Sequence, residues 1–544
     1  MRGIIAIALG AMIAGCSETA TEKISPENGG TVVISASQDP GTLFPPFVET
    51  AAAKQITEQI YDYLADVGPT FDTRNENAYR RELADSWHWS NDSLSLAFHL
   101  DPRARWHDGI KVTAGDVRFT FDLNKNPVVA GRYLSSLGNI DSVTVADSTT
   151  VVFWFHRRTP TQFLDAAAQL LILPAHQLAG IRPEKFHDTT APPPIGSGRF
   201  RLRRWDRGSA VEVVPDTGNY RGRPHLDHVI WSIAPDFTTA VTRLKLNEID
   251  FLEDLRPENV ADLGRQPNLR MVTAPTMNYA FLRFNLRDPE TRGRPHPLFG
   301  DRELRRAIAM SIDRKTLLRS VLDTFGVVPV GPTVRSYPST DPRLAQIPFD
   351  STRAAAILDS LGWVRRPDGL RARGGRELSF TLLVPSISPS RIRMGVLLQE
   401  KLHQAGMRVT VERMESAAQA AKESKGDFDA SLDSWTMPSS PDAIRDAWTS
   451  TGVGKNGVNY GYYINPRFDA LLDSALVADP AQARARFTAA YSVINDDAPA
   501  IWLYEPHKII GVNKRLKMGQ ARPDAWWFSL SDWTVSQSGR TSRD

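Results

Sequence analysis

At 544 residues the chain is roughly twice as long as one hydrophobic core can grow, so more than one lobe is expected. Hydrophobic residues make up 41% and charged residues 23%, ordinary globular usage, and no internal stretch reaches the ~18 apolar residues of a membrane span. The net charge of +3, on 65 basic and 62 acidic residues scattered along the chain, excludes the strong basic field of a nucleic-acid binder.

At the amino terminus Arg2 precedes an apolar run from Ile4 to Ile13, too short to cross a bilayer and of the length of a signal-peptide core. The run closes in Ile13-Ala14-Gly15-Cys16, which resembles the bacterial lipobox. That resemblance implies a lipoprotein signal peptide over 1–15 and two acyl chains on Cys16, enough for a stable membrane anchor. Cys16 is the single cysteine, so no internal disulfide is expected and stability must come from burial. Residues 16–30, rich in Ser, Thr, Glu, Pro and Gly, read as a flexible tether.

The first strand is predicted over Thr31 to Ala36, continuously apolar through Val32, Val33 and Ile34 as a buried strand requires. Asp39-Pro40-Gly41 breaks it, and a helix follows around Thr50 to Ala65 with Ile56, Ile60, Tyr63 and Leu64 on one face. Trp87 to Trp89 and Ser93 to Leu100 read as a hairpin turning at Asn91-Asp92. Thr113 and Asp116 mark a capped helix start. Strands resume at Ser142 to Ala146 and Thr150 to Phe155, then at Gly198 to Trp205, Ala210 to Val214 and Val229 to Ile233, before a helix over Thr238 to Asn247. From Glu303 helices dominate: Leu304 to Ile312, Arg314 to Leu322, Ser351 to Leu361 and Arg391 to Gln404, the last two ending at Gly362 and Gly406. Leu378 to Val384 and Met407 to Glu412 are the strands of a strand-helix-strand unit, Phe428 to Leu432 is a further strand, and Arg467 to Val477 and Ala481 to Asp496 are late helices.

Signatures of catalysis are missing from this pattern. There is no metal-ligand spacing, and the 11 histidines are dispersed. His107 beside Asp108 reads as structural, with Asp108-Gly109 forming a turn, and Gly196-Ser197-Gly198 lies in a proline-rich loop without the spacing of a nucleophile elbow. Gly452 to Gly457 matches Gly-x-Gly-x-x-Gly, yet Val458 to Tyr463 after it is aromatic and Asn-rich rather than helical, so a surface loop is expected there. Trp435, opening the polar stretch Trp435 to Asp442 at the end of a strand, sits where open alternating sheets bind ligands, whereas Trp526-Trp527 reads as packing.

Several ordered segments carry a family resemblance. They are Glu82 to Trp87, Phe98-His99-Leu100, Trp106-His107-Asp108-Gly109 to Thr113-Ala114-Gly115-Asp116-Val117, Pro194 to Phe200, Gly218 to Gly222 with Pro224 to Asp227, Phe284-Asn285, Leu304 to Ala309, Ser311 to Arg314 and Leu361-Gly362-Trp363. From Gly29 to Trp533 the chain resembles the family 5 extracellular solute-binding proteins, the oligopeptide, dipeptide and nickel-binding components of ABC importers.

The resemblance implies an α/β fold, a periplasmic-binding-protein type II clamshell of two α/β lobes plus an extra domain. Lobe I would be discontinuous, from 31–68, 187–286 and 501–535; the extra domain would be 69–186 and lobe II 287–500. It also implies a monomer at the periplasm or cell surface that binds a peptide-like solute between closing lobes and serves an ABC permease and ATPase complex. No catalytic residue, cofactor, metal or nucleic acid is implied. A non-transport receptor, or a binder of a metal chelate or sugar, is the alternative on the same fold. The ligand-binding positions carried over are Trp435, Met437, Asp442, Glu49 and Tyr504. Pro438 stands where the family's peptide binders place an ammonium-pairing aspartate, and Leu432 where some place an arginine, so Asp442 serves only if its loop is rearranged. The expected cleft therefore has aromatic walls and few charged anchors.

Overall fold

The computed structural model describes residues 28–129, 134, 136–187, 192–454 and 457–536. The predicted signal peptide, Cys16 and all but the end of the predicted tether lie outside these residues.

A seven-stranded sheet forms around Thr31–Ala36, whose six residues are all buried. This strand runs parallel to His228–Ile233 on one side and to Phe251–Leu252 on the other, which is why its sequence is continuously apolar rather than alternating. Lys508–Asn513 and Leu269–Ala274 extend one edge; Ala210–Pro215 and Phe200–Asp206 extend the other. The helix Ala51–Ile60 lays Ala52, Ile56 and Ile60 on this sheet's core, together with Trp526, Trp527 and Trp533, so the C-terminal tryptophans are packing residues as expected. The predicted helix is shorter than its apolar pattern: Ala65–Val67 is a strand paired with Tyr79–Arg81.

The second sheet has six strands, in the order Gly326–Val327, Ala500–Pro506, Asn278–Phe284, Ala430–Thr436, Ser379–Pro385 and Arg408–Met414. The helices Arg302–Met310, Arg314–Leu322, Ser351–Ser360 and Pro389–Gln404 share its core. Ser379–Pro385 and Arg408–Met414 pair in parallel, as a strand-helix-strand unit demands. A four-stranded antiparallel sheet, Ala84–Trp89, Ser95–Leu100, Thr150–Phe155 and Ile140–Val145, packs against helix Ala114–Lys125. That helix starts at the expected capping box, with the Thr113 amide and hydroxyl both donating to Asp116 Oδ2 at 2.8 and 2.9 Å.

The chain crosses from the first sheet to the second between Ala274 and Asn278 and returns between Pro506 and Lys508. Thr276 Oγ1 donates to the Pro506 carbonyl at 2.8 Å, so the two crossings are tied side by side. These points differ from the 286 and 500 boundaries drawn from the sequence. Asn278–Phe284 is hydrogen-bonded on both edges within the second sheet, by Ala430–Thr436 and Ala500–Pro506, and cannot belong to the first. Each large sheet also holds a buried ion pair. Arg515 meets Asp250 at 2.8 Å in the first, and Arg283 meets Glu423 at 2.6 Å in the second.

Candidate functional site

Three of the motifs that carry the resemblance, around His107, Gly196 and Asn219, meet where the four-stranded block joins the first sheet. Gly198 donates its amide to the Ile60 carbonyl at 2.8 Å, and a Cβ added at Gly196 would lie 1.8 Å from that same carbonyl oxygen, so only glycine fits. His107 closes over this loop: it accepts the Gly196 amide on Nδ1 at 3.2 Å and donates from Nε2 to the Gly198 carbonyl at 2.9 Å. A neutral imidazole satisfies both bonds, and burial holds its pKa below the usual histidine value, with the Gly198 carbonyl opposing. Asn219 Nδ2 donates to the carbonyls of Ser197 and Gly198. Ser197 itself is fully buried, which is no place for a nucleophile. Arg221 pairs with Asp62 and, at 2.7 Å, with Glu82, whose side chains are 2% and 8% exposed. This cluster is a packing hub.

A cavity lies apart from the hub's centre. It measures about 1110 Å³ and opens between the helix Ala51–Ile60, the block around Thr159–Gln169, the loop Pro438–Asp446 and the C-terminal stretch at Arg522–Asp524. Four regions distant in sequence thus share one wall, the arrangement expected of a cleft between lobes. The wall is charged: Lys54, Glu58, Arg157, Asp165, Asp442 and Arg522 all line it, and Tyr63 is the one aromatic residue among the described lining. The expected aromatic walls are therefore replaced by ionic ones.

The state of the carboxylates decides what this cavity can do. Glu58 is already engaged: Oε1 accepts from Tyr63 Oη at 3.0 Å and Oε2 from Trp527 Nε1 at 2.6 Å. Asp66 is paired with Arg80 and Arg522. Asp165 and Asp442 have no ion-pair partner among the described residues. Asp165 Oδ2 accepts from Thr161 Oγ1 at 2.9 Å; burial pushes its carboxyl up to about 7, with Asp442 adding to the rise and the Thr161 hydroxyl opposing it. Burial likewise raises Asp442, against the Ser440 hydroxyl and Arg74, and its buried Oδ1 has no hydrogen-bond partner. Asp165 and Asp442 thus line one cavity from separate blocks, and the charge of Asp442 adds to the rise at Asp165.

Of the positions carried over from sequence, Asp442 alone lines this cavity. Trp435 is half-buried inside the strand Ala430–Thr436, opposite Tyr279, rather than in the loop after it; the strand runs on to Thr436 because Asn278–Phe284 pairs with it along its whole length. Met437 is buried in the core and donates its amide to the Met277 carbonyl at 2.7 Å. Tyr504 is buried in the core of the second sheet, with its phenol pushed up by burial and opposed by the Ser390 hydroxyl. Glu49 is exposed, one residue before the Thr50 cap of helix Ala51–Ile60, and outside the cavity lining. Asp165 went unnoticed in the sequence, since nothing local marks an aspartate inside a short helix, Gln162–Ala167, as a cavity residue. The Gly-x-Gly-x-x-Gly match follows the helix Ile444–Trp448 and a single turn at Ser450–Gly452, with no strand before it.

A two-lobed α/β architecture with a charged cavity between its blocks defines a solute-binding protein. Residues 78–456 match the model of the bacterial extracellular solute-binding proteins, family 5 (middle), and the chain belongs to that family. The oligopeptide-binding protein AppA of Bacillus subtilis is 26% identical over 547 residues, covering 98% of this chain and 97% of the relative. The structure of that protein in complex with a nonapeptide superposes with a TM-score of 0.70 at 24% identity, over 94% of this chain and all of the other. HbpA2 of Haemophilus parasuis shares the fold at a TM-score of 0.79 and 22% identity, over 93% of this chain and 100% of the other. The family is one of extracellular solute-binding proteins. Among the described residues no helix is long and apolar enough to cross a membrane, and no group of His, Cys, Asp and Glu could hold a metal ion.

Proposed function

We propose that the chain captures a peptide-like solute for an ABC importer, and that the ligand's ammonium group is held between Asp442 and Asp165. The observation that carries this reading is that Asp165, buried, and Asp442, half-buried, line one cavity of about 1110 Å³ from two different blocks, with no salt-bridge partner for either among the described residues. Asp442 takes the part of the family's aspartate that Pro438 displaces. The name of the 26% identical relative, an oligopeptide-binding protein, supports a peptide as the solute. Capture without catalysis agrees with the absence of catalytic signatures in the sequence, and Cys16 is the proposed lipid anchor of a monomeric extracytoplasmic receptor.

Native mass spectrometry of the protein as purified tests the ligand class. The expected spectrum is a series of bound masses spaced by amino-acid residues. One discrete mass that fits no peptide would refute a peptide ligand.

A further inference from the structure

The loop that carries Asp442 is a thin partition. Pro438, Ser439, Ser440 and Asp442 line the large cavity on one face, while Pro441 lines a second cavity of about 270 Å³ behind it. The far wall of that second cavity is a finger from another part of the chain, residues 71–74, together with Tyr337. This finger is the excursion between the paired strands Ala65–Val67 and Tyr79–Arg81, and it reaches across to the second sheet's block.

Its contacts are specific. Thr73 is buried and its Oγ1 donates to the Ser439 carbonyl at 2.8 Å, while its own carbonyl accepts from Tyr79 Oη at 2.8 Å. Tyr337 shares its single hydroxyl hydrogen between the carbonyls on either side, Pro438 and Ser440. Three consecutive loop carbonyls are thus taken from behind, and the residue that orients its own carboxylate into the ligand cavity comes two positions later. Phe71 stacks on Tyr337, with ring centroids 6.3 Å apart and planes 5° from parallel, and it does so at a φ of 54°, a left-handed backbone that bulky side chains rarely adopt. Arg74 fixes the finger's other side: its guanidinium donates to the carbonyls of Ala475, Leu476 and Ala478, the open C-terminus of the helix Pro466–Leu476.

We infer that Thr73 and Tyr337 are positioning residues for ligand capture: held by the finger, they fix the Pro438–Ser440 backbone and so set the place of the Asp442 carboxylate, although neither lines the ligand cavity. This rests on the reading of that cavity as the ligand site. It also explains how the loop tolerates Pro438, since the bonds that hold it use carbonyls and a proline has no N–H to offer.

Thr73→Val and Tyr337→Phe remove the hydroxyls and keep the shapes, and Thr73→Ser restores one of them. Hydrogen exchange read by mass spectrometry on the ligand-free full-length protein is the first measurement. Exchange over 438–446 is expected to speed up about five- to tenfold in the Val and Phe variants, the scale of one lost hydrogen bond, and to return to the parental rate in Thr73→Ser. Calorimetric titration with hexaalanine, free at both ends, is the second: a comparable loss of affinity is expected from Thr73→Val alone, with little further loss when it is added to Asp442→Asn. Unchanged exchange over 438–446, or acceleration spread evenly over the whole chain, overturns the inference. If the parental protein does not bind hexaalanine, the peptide reading of the cavity fails, while the exchange measurement still decides the role of Thr73 and Tyr337.

Discussion

The hub around His107 and Arg221 and the cavity around Asp442 lie close together, share Glu58 and Asp66 through a neighbouring pocket, and are built on opposite terms. In the hub the ionisable groups are answered: imidazole by amide and carbonyl, guanidinium by two carboxylates, although Ser197 Oγ and Arg221 Nε are buried without a hydrogen-bond partner. In the cavity Asp165 and Asp442 have no salt-bridge partner among the described residues, although Arg74 and Arg445 act on Asp442 from further off. In the hub the protein supplies a close counter-charge, and in the cavity it leaves room for one.

Breaking the hub should have the largest effect. Arg221→Met leaves Asp62 and Glu82 buried without their guanidinium, and the loss expected in urea unfolding is about 3–5 kcal/mol. Burial already pushes the Glu82 carboxyl up to about 7 against the pull of Arg221. The folded fraction that remains should still carry the parental set of ligand masses. A variant of unchanged stability that loses its ligand would place Arg221 in the cleft and dissolve the distinction between the two regions.

The cavity should respond with opposite signs. Folding raises the Asp165 carboxyl from its ordinary value near 4 to about 7 through burial. A carboxyl raised in this way favours the folded state while protonated. Its contribution is full below pH ~4 and is lost as pH climbs through about 7. Asp165→Asn removes the ionised form, so the variant is expected to gain about 1–3 kcal/mol over the parent at pH 8.5 and almost nothing near pH 4, while its affinity for hexaalanine falls. Chemical unfolding across that pH range, alongside titration calorimetry, checks both. A variant less stable than the parent at pH 8.5 would make Asp165 an ordinary structural carboxylate.

Legibility in the sequence follows the same division. The strands Thr31–Ala36 and His228–Ile233, the Thr113 capping box and the turn at Asp108-Gly109 were readable because each is written in local apolar runs, caps or turn residues, while the parallel pairing of the two strands was not. The strand Ala430–Thr436 was cut short at Leu432 because Asp433, Ser434 and Thr436 break its apolar run, and only the partner strand Asn278–Phe284 shows that pairing continues through them. Asp165 was invisible for a stronger reason. It shares a cavity with a loop almost 280 positions away, and no periodicity within Gln162–Ala167 reports that apposition.

Met437 gives the smallest and sharpest test of where the cleft wall ends. The sequence places it two residues beyond Trp435, on the edge of a ligand site, but the structure turns its side chain into the core shared by Tyr279, Phe281 and Trp448. A core methionine exchanges for leucine at nearly constant volume, so Met437→Leu should cost less than about 1.5 kcal/mol in urea unfolding. The bound masses seen by native mass spectrometry should not change, because the wall facing the ligand begins at Pro438. A shift in the ligand population with stability intact would show that the cleft reaches past Pro438 to Met437, and that the wall is less sharply charged than Asp442 and Asp165 make it.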